Sequence, residues 1–143
     1  MYIFDTDHLS FIQRNGQEGK QILVKLATLQ DPEVAVTVIT YEEQIRGRLS
    51  FLSKAKTVDE QTLAYQGLQQ LTLDYQSIAI IPFSREAILE HQRLRKVYPR
   101  LGNMDLKIAA IALTNTAILI TRNKSDFGQL TELSIEDWSV SAR

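Results

Sequence analysis

The chain has 143 residues, 44% of them hydrophobic, the size of one ordinary globular unit that buries roughly two-thirds of its unfolded surface. Its 16 Lys and Arg face 17 Asp and Glu, so a net charge of −1 excludes any global pull on a polyanion and leaves nucleic-acid affinity to a local patch. The lack of cysteine excludes disulfides, thiolate metal sites and a cysteine nucleophile, and no apolar run approaches the ~18 residues of a membrane span, so the cytoplasm is the expected location.

Tyr2-Ile3-Phe4 is too short for a signal-peptide core and predicts a buried strand that delivers Asp5-Thr6-Asp7 into a turn. Residues 16–29 carry Ile22, Leu23, Leu26 and Leu29 at helical spacing, and Asp31-Pro32 closes that helix. Residues 34–37 form a second apolar strand, which passes directly into a helix over 38–51. A second long helix over 58–73 packs back on it, so the two make an antiparallel arm. Strand three is expected at 78–83, followed by Ser84 as an N-cap and a helix that Pro99 ends. Residues 104–113 form a strongly apolar helix capped by Asn103, and 117–120 form strand four. Alternating strands and helices, with apolar rather than two-faced strands, predict an α/β domain over 1–143 with a parallel sheet covered on both faces.

In such a sheet, ligands bind at the carboxyl ends of the strands. Asp5 and Asp7 follow strand one; Thr37, Thr40, Glu42 and Glu43 follow strand two; Thr121, Asn123 and Asp126 follow strand four; Asp105 opens a helix feeding the same edge. Several carboxylates on one rim repel unless a cation sits among them, and hard divalent ions take oxygen ligands. Each acid alone has a plain structural role as a turn residue or helix cap, and Asp105 suits a helix N-terminus. Their joint placement is what points to metal chemistry, in which bound cations activate water for attack at phosphorus.

Four segments taken in order, Ile3-Phe4-Asp5-Thr6-Asp7, Thr37-Val38-Ile39-Thr40-Tyr41-Glu42-Glu43 with Gly47, Gly102-Asn103-Met104-Asp105 with Ile108-Ala109, and Thr121-Arg122-Asn123-Lys124-Ser125-Asp126-Phe127, resemble the PIN domain, and within it the VapC-type toxins. The resemblance implies a three-layer fold and metal-dependent endoribonuclease activity. It implies metal-binding acids at Asp5, Glu43, Asp105 and Asp126, holding magnesium or substituting manganese, with Asp7, Thr40, Thr121 and Asn123 in support. Helical periodicity does not choose between Glu42 and Glu43; the family's spacing of four to Gly47 selects Glu43. Asp7 stands where asparagine is frequent in the toxins, and Glu42 where a small residue is common, so the number of metals bound stays open. The resemblance further implies a small antitoxin partner held at the arm, and a homodimer.

Arg93, Arg95, Lys96, Arg100 and Lys107, with Tyr98 among them, are candidates to grip RNA phosphates and stack a base, or else a solvated helix face. Arg46 and Arg48 form a second candidate group that could equally pair with nearby acids. His8 and His91 stand alone, and His8 is read as a polar residue at a helix start, without a catalytic role; Trp138 is read as core or partner contact. Three other functions compete: a housekeeping RNA-processing PIN nuclease, a catalytically inactive PIN-like interaction module, and a haloacid-dehalogenase-type phosphatase, whose Asp-x-Asp start Asp5 and Asp7 share. The phosphatase signature continues with Thr or Val where Leu9 stands, and it leaves Glu43 and Asp105 unexplained.

Overall fold

The computed structural model describes residues 1–140. Five short strands, β1 (Tyr2–Phe4), β2 (Val34–Thr37), β3 (Ile80–Ile81), β4 (Ile118–Ile120) and β5 (Ile135–Glu136), form one sheet in the order β3-β2-β1-β4-β5. Every pairing is parallel: Ile3 lies beside Ala35 on one side and Leu119 on the other, and Thr37 beside Ile81. Alternate residues of the strands enter two separate cores, as a period of two requires. Ile3 and Leu119 join Leu94, Leu106, Ile108 and Ile111 on one face. Phe4, Val36 and Ile120 join Leu9, Ile22 and Trp138 on the other.

Seven helices among the described residues cover these faces: α1 (Thr6–Arg14), α2 (Gln17–Ala27), α3 (Val38–Lys54), α4 (Val58–Asp74), α5 (Arg85–Val97), α6 (Asn103–Thr114) and α7 (Lys124–Phe127). The expected arm is present as α3 and α4, and α4 starts with a full capping box, in which Thr57 accepts from Glu60 N and Glu60 returns a bond to Thr57 N. Ser84 caps α5 as expected, accepting from Ala87 N at 3.2 Å.

Four expectations need correction. The turn expected after Asp5 is the start of α1, which Asp5 caps by accepting from His8 N at 2.8 Å. Asn15, in the left-handed region at φ 54°, ends α1, and α2 follows at once. Gly19 lets the two helices meet: a Cβ there would strike the backbone carbonyl of Phe11. Strand three shrinks to Ile80–Ile81, since Pro82 has no N–H for the ladder. Asn103 is inside α6 rather than its cap; Gly102 is the cap, and the Asn103 side chain instead bonds His91 Nε2 at 2.8 Å. Finally, α7 and β5 lie beyond the last strand expected from the sequence.

Candidate active site

The chain order of the sheet reverses at β1: β2 and β3 are added on one side, β4 and β5 on the other. A crevice therefore opens at the carboxyl ends of β1 and β4. Asp5 stands directly after β1, and its N–H donates to Ile120 O at 3.0 Å, which locks it against the end of β4. Thr121 follows β4, buried, and its hydroxyl accepts from Asn123 N at 3.0 Å. Asn123 in turn caps α7 and donates through Nδ2 to Asp126 Oδ2 at 3.1 Å. Asp126 is thus held by a local chain of bonds.

Helices α3 and α6 also begin at this edge. Thr37, fully buried, caps α3 by accepting from Thr40 N at 3.2 Å, and Thr40 is buried behind it. Thr6 sits 3.0 Å from Thr40 Oγ1 and lies 2.6 Å from Glu43 Oε1, to which its hydroxyl donates. Glu42 points elsewhere and pairs with Arg46 at 2.6 Å on the exposed side of the helix. The two adjacent glutamates, which periodicity could not separate, occupy different environments: Glu43 at the rim and Glu42 on the surface. Asp105 lies in the first turn of α6, close to the glycine cap.

Partial burial and the negative charges of Glu43, Asp126, Asp5 and Asp7 push the Asp105 carboxyl up to about 6. Asp105 therefore feels the charge of four other acids at this edge. Among the described residues, none of Asp7, Glu43, Asp105 and Asp126 forms an ion pair with Lys or Arg. Such a donor set, all carboxylate oxygen and uncompensated, fits a hard divalent cation. No three of these side chains close into a tight ligand cage among the described residues. An ion here would keep several waters, as magnesium does.

His8 corrects the reading of a plain helix-start residue. It is 0% exposed, with Nδ1 3.3 Å from Asp5 Oδ1 and Nε2 accepting from Trp138 N at 3.2 Å. That bond assigns the ring proton to Nδ1, on the Asp5 side. Asp137 Oδ1 lies 3.4 Å from Nε2, and Phe4 stacks on the ring. Trp138, expected in the core or at a partner, is in the core at 3% exposure. Thr6 was also not singled out, although it stands inside the Asp5-Thr6-Asp7 motif.

The suggested RNA contacts divide. Arg93 is engaged by Glu90 and Glu132, at 2.6 and 2.8 Å, and Arg46 by Glu42, so both carry a carboxylate partner. Tyr98 packs on the core, and with Arg95 it lines a small hollow of about 260 Å³. Arg95, Lys96 and Arg100 are exposed, and Lys107 lies 5.9 Å from the Phe83 ring centroid.

A parallel sheet whose switch point gathers acids from four segments marks an α/β protein with a carboxylate-lined crevice. Residues 2–133 match the PIN domain family, and the chain belongs to that family. Ribonuclease VapC1 of Haemophilus influenzae is 25% identical over 97% of this chain and 98% of its own. Among solved structures, VapBC2 from Rickettsia felis bound to promoter DNA is similar, with a TM-score of 0.74 and 25% identity over 96% of this chain and 98% of that one. VapBC-1 from nontypeable H. influenzae matches with the same score and identity over 97% and 98%. A toxin–antitoxin complex from Klebsiella pneumoniae follows, at a TM-score of 0.70 and 25% identity over 96% and 98%.

Proposed function

We propose that the chain is a magnesium-dependent endoribonuclease, the toxin of a toxin–antitoxin pair, which works as a homodimer and is held inactive by a small antitoxin. The observation that carries the reading is Asp105, whose carboxyl is pushed up to about 6 amid four other acids with no Lys or Arg partner. Asp5 also caps α1, but the repulsion among all five acids is costly without a cation. Family membership and the VapC ribonuclease and VapBC relatives support RNA as the substrate and an antitoxin as the partner. The complete set of acids disfavours an inactive interaction module.

Asp5, Glu43, Asp105 and Asp126 would hold the ion. Bound there, magnesium would supply charge neutralisation at the phosphate and a lowered pKa for attacking water. The protein's own groups then do three things. Thr6 fixes Glu43 through the 2.6 Å bond, and Asn123 fixes Asp126, so both carboxylates present set oxygens to the crevice. The His8 backbone N–H donates to Asp5 Oδ1, and its ring Nδ1 stands 3.3 Å behind that oxygen without a hydrogen bond. As the water oxygen bonds to phosphorus the bond to the leaving sugar oxygen breaks, and the proton that water loses passes through solvent to that oxygen.

The test is cleavage of total cellular RNA by purified protein with magnesium or with chelator, alongside Asp5→Asn and Asp105→Asn. Metal-dependent cutting that both folded variants lose is the expected result. Intact RNA after removal of any bound inhibitor, or variants that cut like the parent, would discard the reading. Co-purification of the chain with the product of an adjacent small gene separates a toxin from a housekeeping nuclease.

A further inference from the structure

Beside Glu43 a cleft of about 330 Å³ runs between α1 and α3, lined by Thr6, Ser10 and Arg14 on one side and Glu43, Gly47 and Arg48 on the other. It opens directly from the acidic rim, because Thr6 and Glu43 belong to both. Arg46 and Arg93 have carboxylate partners, whereas Arg14 and Arg48, like Arg122 beside Thr121, form no ion pair among the described residues. Arg48 is also held in place: its stem lies along Gly67 of α4, with Cδ 3.7 Å from where a Cβ would stand. Its Nε is buried and makes no hydrogen bond among the described residues, and Nε and Nη1 lie 3.9 and 4.0 Å from the same point, so the guanidinium itself rests along α4 while the side chain lines the cleft.

The cleft is built rather than loose. Gln13 and Gln44, which also line it, exchange amide hydrogen bonds at 2.8 and 3.4 Å. Asp74 and the Tyr75 hydroxyl tie that pair to the end of α4. At Gly47 a Cβ would meet nothing within 4 Å, so the wall is open at that point. The one acid facing the cleft is Glu43, at its rim end, and Thr6 already donates to it.

We propose that Arg14 and Arg48 form a phosphate subsite for the RNA backbone, one that takes a phosphodiester next to the one being cut. The inference rests on the ribonuclease reading above. Guanidinium groups present planar donors that match phosphate oxygens, and two of them in one cleft answer the lack of any global positive charge. A strand whose scissile phosphate lies at the acids would run past the arginines, which set its direction across the site. Arg46 and Arg93, which carry carboxylate partners, lie outside this subsite.

The experiment measures binding of a short labelled single-stranded RNA to protein carrying Asp105→Asn, across a range of salt, with Arg14→Gln, Arg48→Gln and both. Each lost contact should reduce the slope of log affinity against log salt by about 0.7. With the active chain, KM should rise several-fold while kcat changes little. Replacing single phosphates in turn by neutral methylphosphonate should find one position that weakens the parent yet leaves the double variant unaffected. Arg14 is exposed on α1, so Arg14→Gln tests the subsite even if Arg48→Gln unfolds. Unchanged slopes in a chain that still cuts RNA would overturn the subsite and leave the nuclease standing. A parent that neither binds nor cuts RNA would overturn both. If the variants weaken only antitoxin binding, the cleft is a protein contact and the proposal fails.

Discussion

The acidic rim and the helical arm solve opposite problems with the same chain. At the rim, polar groups are buried and held: Thr37, Thr40, His8 and Thr121 are within the protein, local bonds fix Asp5 and Asp126, and Thr6 fixes Glu43 from the facing helix. On the arm, apolar groups face outward: Val58 is 81% and Leu63 61% exposed, with Leu49, Phe51, Tyr65 and Leu73 close behind. The rim carries unfavourable charge and the arm unfavourable apolar surface. Under the proposed function each local cost has a use, the rim's charge for a cation and the arm's apolar surface for a partner that covers it.

The sharpest way to break the rim is at its centre. Asp105→Asn should lower RNA cleavage by more than the ~10–100-fold typical of groups that only support a ligand. The same variant should melt a few degrees higher above pH 6, because it removes repulsion rather than packing. Loss of activity together with loss of stability would mean that Asp105 serves the fold. His8→Ala should cost about 2–4 kcal/mol in denaturant unfolding, since it empties a fully buried, stacked and bonded position. His8→Gln, where it folds, should weaken manganese binding by calorimetry while changing unfolding less; equal manganese affinity would leave His8 a core residue alone.

A smaller effect appears with pH. The Asp105 carboxyl, raised from an ordinary 3.8 to about 6, holds its proton more tightly folded than unfolded. For this group the folded state is favoured most below 3.8, and that advantage is lost as pH rises through about 6. The group is half-exposed, so screening reduces the change to the order of 1 kcal/mol. Melting followed from pH 4 to 7 should show this loss in the parent, absent in Asp105→Asn and offset by magnesium, which binds the ionised form. On the arm the expected stability change is smallest: Leu63→Ser should alter unfolding by less than about 0.5 kcal/mol. It should instead weaken antitoxin capture, and a large loss of stability would show that the exposed face is structural.

Much of this was legible because it is local. The apolar runs at 34–37 and 117–120, the helix start at Ser84, and the order of the acids along the chain are all set by neighbours a few residues apart. What escaped depends on distant partners. β5 is two residues long and exists because Leu119 and Ile120 pair with it. The start of α1 is hidden in an acidic motif that reads equally as a turn, and only the bond from His8 N to Asp5 separates the two. The burial of His8 depends on Trp138, 130 positions away, and no periodicity announces such a pairing. Arg46 and Arg48 look alike in sequence; Glu42, one turn back on α3, engages the first, and Gly67 on the facing helix makes room for the second.

The central position of β1 bears on the timing of synthesis. The first strand made is the middle one of the sheet, so Tyr2–Phe4 gain their second neighbour only when Ile118–Ile120 arrive, and His8 is closed over only by Trp138. A nascent chain emerges with Asp5 in hand but nothing to fix it against. The acids cannot meet until β4 and the segment through Asp126 have left the ribosome, so under the ribonuclease reading the chain passes most of its elongation without an assembled site.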